Sequence, residues 1–157
     1  MTHLIILSAA VAALIAGSAS AAQTPDVTAP APAASSAKAD LSLTFKVAKF
    51  QKGALMIAIF DSEAAYMNSG QPVRVLKLDV TSDTLTAVIS GLAPGRYGIK
   101  LFHDLNGDGK LAMNMFGIPT EPVAFSNNAK INMRAPNWAE AGFDVPASGA
   151  AQTIDID

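Results

Sequence analysis

Asp104, Asn106 and Asp108 stand at alternate positions of His103-Asp104-Leu105-Asn106-Gly107-Asp108-Gly109-Lys110-Leu111, three oxygen-bearing side chains in a glycine-rich loop that follows a hydrophobic strand. They fill the first, third and fifth places of a D-x-N-x-D-G loop. Gly109 supplies the sharp turn at the sixth place and the Lys110 carbonyl an oxygen at the seventh, which is the ligand order of an EF-hand type calcium loop. Hard oxygen donors of this kind suit Ca²⁺. The twelfth place, where a bidentate Glu closes such a site, holds Met115, so the closing ligand is expected from elsewhere. Glu121 is the candidate, because Gly117-Ile118-Pro119 can turn the chain back towards the loop. The expected metal ligands are therefore Asp104, Asn106, Asp108, Lys110 through its carbonyl, and Glu121, in a weak extracellular-type Ca²⁺ site with a dissociation constant on the order of 10⁻⁴ to 10⁻³ M. The same residues admit a reading without metal, in which Asp104 and Asn106 make Asx-type hydrogen bonds and Asp108-Gly109 forms a bend.

His103 raises the question of acid/base chemistry, since histidine is the side chain suited to proton transfer near neutral pH. A hydrolase that used His103 with Asp104 or Glu121 is the alternative function. Adjacent residues on a strand point to opposite faces, which opposes a His103-Asp104 pair and favours a His103 hydrogen-bonded to loop backbone. With two histidines in the chain, His3 in an N-terminal segment expected to be removed, and no cysteine, a multi-His or N/S zinc centre is excluded. There is no G-x-S-x-G elbow, Walker loop or dinucleotide fingerprint. Glu63 with Glu121 or Asp61 offers a carboxylate pair, but no spacing in the sequence sets their separation. No catalytic residue is assigned, and no cofactor other than Ca²⁺ is expected.

The elements that must position this loop begin well inside the chain. Residues 1–21 carry no Lys, Arg, Asp or Glu, are almost wholly apolar from Leu4 to Ala16, and end in Ala19-Ser20-Ala21, the small-x-small pattern of a signal peptidase site. A signal peptide over 1–21 is expected, and with it export to the periplasm or the exterior. No cysteine stands at the cleavage site to take a lipid, and the exported domain must hold together without disulfides. Residues 22–40, rich in Ala and Pro and without large apolar side chains, read as a disordered linker. Residues 41–157 suit one domain. With 11 basic and 13 acidic residues and a formal charge of −2, the chain lacks the basic face that nucleic acid or an anionic membrane patch requires. No stable membrane insertion is expected once the signal is removed.

Period-two alternation recurs along the domain and predicts a strand wherever it does. Leu41, Leu43, Phe45 and Val47 alternate with polar residues over 41–48, and the continuous apolar run 54–60 suits a strand covered on both faces. These two strands are expected to pair as a hairpin through Lys52-Gly53. A short helical turn follows Asp61-Ser62, closed by Asn68-Ser69-Gly70. Strands 73–80 and 84–90 are expected to pair, and in 96–103 Tyr97, Ile99, Leu101 and His103 share one face. Shorter strands are predicted at 120–125, 143–145 and 153–156. Seven or eight short strands with turns between them indicate an all-β fold, an antiparallel β-sandwich of transthyretin- or immunoglobulin-like type. Phe116, Ile118 and Trp138 lie in irregular aromatic segments, where Phe116 is expected to fold back as a small cluster over the sandwich edge.

Gly91-Leu92-Ala93-Pro94-Gly95-Arg96-Tyr97 resembles the GLPPGxY signature of transthyretin-like and carboxypeptidase-regulatory-like sandwiches, in which Pro and Gly set a turn and Tyr restarts the inward face. The ordered motifs Ala58-Ile59-Phe60-Asp61, that turn, the 102–111 loop, Phe116-Gly117-Ile118-Pro119-Thr120-Glu121 and Phe125-Ser126-Asn127-Asn128 resemble the DUF2141 family of exported bacterial proteins across nearly all of 41–157. The family loop commonly reads HDxNxNGKLDxN. Here Ala112 replaces the later acid, Leu105 stands where an acid is often found, and Asp108 adds a carboxylate. The resemblance implies a fold and an exported location but no chemistry. The expectation for function is a binding or structural module of the cell envelope, its partner an envelope protein, peptide or glycan, with the 103–121 loop as the working surface.

Overall fold

A computed structural model of the chain describes residues 38–49 and 52–157. The expected signal peptide, and the expected linker up to residue 37, lie outside the described residues. Eight strands occur among the described residues: β1 (Ala39–Val47), β2 (Ala54–Phe60), β3 (Arg74–Asp79), β4 (Thr84–Leu92), β5 (Gly95–Asp104), β6 (Val123–Phe125), β7 (Phe143–Val145) and β8 (Ala150–Ile156). Strand β1 begins ahead of the predicted position 41 because Ala39, 1% exposed, already belongs to the core.

The strands form an all-β sandwich of two sheets, one of order β4-β1-β8 and one of order β3-β2-β5-β6, with β7 also pairing β5. Alternation decides what each strand gives to the interior. Leu41, Leu43, Phe45 and Val47 of β1 meet Leu55, Ile57 and Ile59 of β2, Ile99 and Leu101 of β5 and Ile154 and Ile156 of β8 in one core. Among the described residues every strand pairing is antiparallel except β1 with β8, which run parallel from Leu41↔Ala150 to Val47↔Ile156.

Both expected hairpins are corrected. Strand β1 pairs β4 and β8 while β2 pairs β3 and β5, so β1 and β2 face each other across the core instead of lying side by side. Strands β3 and β4 likewise belong to different sheets. Period two dictates which face of a strand is buried; it carries no information about its hydrogen-bonded neighbour.

The Gly91–Gly95 turn crosses from one sheet to the other and is closed by Tyr97, whose hydroxyl donates to the Ala93 carbonyl at 2.7 Å. Helix α1 (Glu63–Met67) starts at Ser62, whose hydroxyl accepts the Ala65 N–H, and seats Tyr66 beneath the second sheet's outer face. Helix α2 (Trp138–Ala141) is fixed by a reciprocal capping box between Asn137 and Glu140. Tyr66 and Trp138 then stack edge-to-face at 5.6 Å. Gly98 makes room for both, since a Cβ there would lie 2.9 Å from each ring. Trp138 thus belongs to a small second cluster with Phe60, Tyr66 and Phe125 on the outer side of β5.

Candidate functional site

Residues 105–122 leave the end of β5 and return to β6, and two buried carboxylates hold them. Asp104 accepts the Gly107 N–H at 2.7 Å through Oδ1 and the Gly109 N–H at 2.8 Å through Oδ2. Glu121 accepts the Leu105 N–H through Oε1 and the Ala112 N–H through Oε2, both at 2.9 Å. Hydrogen bonds from neutral amides to an ionised acceptor are the stronger kind, and these satisfy every carboxylate oxygen of the pair. Between them, Asn106 Oδ1 accepts the Asp108 N–H and Asp108 Oδ1 accepts the Lys110 N–H. Asn106 also donates through Nδ2 to Asp108 Oδ2 at 3.1 Å. The expected return of Glu121 to the loop is therefore present, and the oxygens of Asp104, Asn106, Asp108 and Glu121 all serve hydrogen bonds within the loop. The Lys110 side chain is exposed. Among the described residues no group of three or more His, Cys, Asp or Glu is arranged to hold a metal ion.

His103 occupies the opposite face of β5. It is 0% exposed, and its Nε2 lies 2.5 Å from the Lys52 carbonyl. A carbonyl only accepts, so Nε2 carries the proton. The same Lys52-Gly53 turn presses on the strand end, since a Cβ on Gly53, at φ 89°, would fall 2.2 Å from the Asp104 carbonyl oxygen. The His103 ring is a buried clamp between β5 and the β2 turn, with no surface on which to meet a substrate.

Beyond Ala112 the chain forms a narrow tongue. Thr120 N–H donates to the Ala112 carbonyl, Met113 and Pro119 form a bridge, and Asn114 N–H donates to the Ile118 carbonyl. Asn114 closes the tip by accepting the Phe116 and Ile118 N–H groups on Oδ1 at 2.9 and 3.0 Å. The backbone is thus well satisfied, yet the side chains it carries are apolar and exposed: Met115 is 89% and Phe116 79% exposed. The expectation that Phe116 folds back over the sandwich edge is wrong, because the tongue's own hydrogen bonds hold its tip away from the core.

The tongue forms one wall of an open apolar trough of about 800 Å³. The floor is the outer face of the second sheet, where β-register places Ala58, Lys100 and Phe125 in one cross-strand row and Met56, Phe102 and Val123 in the next. Met113 and Ile118 rise on the tongue side, Ile131 and Met133 on the other. Met133 is held at φ 59°, a left-handed conformation that a large side chain adopts only at a cost of roughly 1 kcal/mol or more, and its side chain is wholly exposed. Among the described residues two charged side chains line the trough, Lys100 and Arg134, and no carboxylate does. Lys100 sits over the Tyr66 ring at 4.3 Å from its centroid and donates to the Tyr66 carbonyl at 2.6 Å. Burial holds its ammonium below the usual lysine range. Burial and the nearby Glu140 charge push the Tyr66 phenol up to about 12.

Residues 44–154 match the family model described as "Uncharacterized protein conserved in bacteria (DUF2141)". The chain belongs to the DUF2141 family. No curated protein and no solved structure matches it.

The segment Phe125-Ser126-Asn127-Asn128, to which sequence reasoning gave no role, proves to be structural. Along one edge of β5, β6 pairs Lys100–Phe102 and β7 pairs Gly95–Tyr97, which leaves Ile99 at the break. Ser126, fully buried, fills it: Oγ accepts the Ile99 N–H at 2.9 Å and donates to the Ala141 carbonyl at 2.6 Å. Asn127 and Asn128 follow at positive φ, which asparagine tolerates. Asn127 donates to the Glu140 and Gly142 carbonyls, and Asn128 accepts the Asp155 N–H of β8. The motif thus joins α2 and both sheets behind the trough. The trough itself had no sequence signal, because its lining comes from residues between 56 and 135 that no local pattern connects.

Proposed function

We propose that this DUF2141 domain is an exported binding module of the cell envelope, and that its ligand is taken, by an apolar part, into the trough between the tongue and residues 131–134. The observation that carries this reading is the exposure of Met113, Met115, Phe116 and Ile118 on a tongue whose backbone is held by its own hydrogen bonds, with Ile131 and Met133 exposed on the opposite wall. Soluble domains bury such side chains or use them, and a contiguous apolar surface marks a place where something binds. The trough volume falls in the range of small-molecule sites, roughly 300 to 1,000 Å³. The 103–121 loop acts by presenting the tongue, with Asp104 and Glu121 anchoring its base. A hydrolytic role for His103 is disfavoured by the burial of that side chain, which keeps it from any substrate.

The test is titration of the mature protein with N-phenyl-1-naphthylamine, a neutral dye that brightens in apolar sites. We expect saturable binding that Ile118→Asp abolishes while the thermal melt is unchanged. A dye signal that is absent, or indifferent to Ile118→Asp, would sink the proposal.

A second reading concerns the loop alone: a weak Ca²⁺ site of Asp104, Asn106, Asp108, the Lys110 carbonyl and Glu121 that stiffens the base of the tongue. These oxygens hold the loop's own amides, as the reading without metal also requires, and what leaves room for a cation is the second lone pair that each of them keeps. Melts in chelator and in millimolar Ca²⁺, with Mg²⁺ as control, decide it. The reading predicts a Ca²⁺-specific rise that Asp104→Asn removes, and equal melting temperatures would return these residues to holding the turn.

A further inference from the structure

The trough's apolar walls surround a cation that the apolar reading does not use. Lys100 lies at the middle of the floor, between Ala58 of β2 and Phe125 of β6 in register, with its side chain half-buried. Its ammonium has three N–H donors, of which the Tyr66 carbonyl takes one at 2.6 Å. The Phe60 and Tyr66 rings, at 5.6 and 4.3 Å from centroid to nitrogen, stabilise the charge from one side. Arg134, the other cation of the lining, is already committed to Glu140 at 2.8 Å. Among the described residues no carboxylate lines the trough. An ammonium in apolar surroundings that lacks a carboxylate partner is costly, and a ligand that brings an anion to it recovers that cost.

We infer that the ligand is a single-chain anionic amphiphile of the fatty-carboxylate class, its head group on Lys100 Nζ and its alkyl chain along the floor between the tongue and residues 131–134. This rests on the trough being the binding site. Charge complementarity selects the head group, since the described lining offers positive charge and no negative one. The floor and walls select the tail. Met56, Met113 and Met133 present unbranched, polarisable side chains that adapt to an alkyl chain and offer no hydrogen bonds to a sugar or a peptide backbone. The burial that holds the Lys100 ammonium below its usual range is offset by the same contact.

The experiment is displacement of N-phenyl-1-naphthylamine from the mature protein by dodecanoate, 1-dodecanol and dodecyltrimethylammonium, each kept below its micellar concentration. Dodecanoate is expected to bind about tenfold more tightly than dodecanol, the scale of one hydrogen bond to a charged group, and the cationic chain more weakly than either. Lys100→Gln should erase the dodecanoate advantage and leave dodecanol unchanged, which also certifies that the variant is folded. Lys46→Gln, exposed on β1 of the other sheet and outside the trough, should leave the order of the three ligands as it was. Equal affinity for dodecanoate and dodecanol, or equal weakening of every ligand in Lys100→Gln, would overturn the head-group assignment while the trough stands. Failure of the dye and of all three chains to bind would overturn both. Binding to anionic vesicles without binding of monomeric dodecanoate would overturn it in favour of a membrane surface.

Discussion

The base and the tip of one loop follow opposite rules. At the base, Asp104 and Glu121 are buried and every carboxylate oxygen receives a backbone N–H; a few residues away, Met115 and Phe116 are held out in solvent by the Asn114 turn. The base obeys the arithmetic of stability, in which buried polar atoms are paired. The tip violates its apolar counterpart, and its satisfied backbone shows that the violation is not a frayed segment. The contrast separates residues that hold the loop from residues it exists to present. It also separates two families of polar residues: those at 104, 121 and 126 turn inward to the chain's own amides, whereas Lys100 keeps donors directed at no carboxylate of the described lining.

Substitutions should fall on either side of that division. The largest effect is expected from Asp104→Ala, which removes an ionised acceptor from two amides and leaves a buried space; a loss of about 3 kcal/mol in chemical denaturation is the expected scale. A loss below about 1 kcal/mol would mean that water replaces the carboxylate and that the base is not an anchor. Ser126→Ala should cost about 2 kcal/mol, because the Ile99 N–H and the Ala141 carbonyl lose a shared partner in a buried position. Hydrogen exchange at Ile99 should accelerate in the same variant.

High pH probes the cluster behind the trough. The Tyr66 phenol keeps its proton up to about 12 in the folded chain, against 10.0 for the free group. Its stabilising contribution is complete below pH 10 and is lost as pH rises through 12, since the unfolded chain releases this proton first. The melting temperature should therefore fall across that window, and less steeply in Tyr66→Phe. An identical fall in both proteins would assign the alkaline loss elsewhere. The smallest effect on stability belongs to Phe116→Ser, under about 0.5 kcal/mol, as for an exposed side chain away from packing. A cost of more than about 1 kcal/mol there would show that the tip packs in solution and would erase the contrast.

Sequence alone determined the strands and their buried faces. Leu41 to Val47, and Tyr97 with Ile99 and Leu101, point inward in the structure as their alternation requires, because a strand's side-chain period is a local consequence of backbone geometry. Local chemistry also made Ser62 a helix cap. Only the tertiary structure decided which strands are neighbours. Strands β1 and β2 share a short connection but face each other across the core, since pairing is settled by how two complete sheets cover one interior. It also decided the fate of individual side chains: His103 is enclosed by the Lys52 turn, Phe116 stays in solvent, and Lys100 comes to lie among apolar groups from segments far apart in the chain. Such surroundings are assembled from residues far apart in the chain, and no periodicity or spacing encodes a contact that forms only when the sheets have closed.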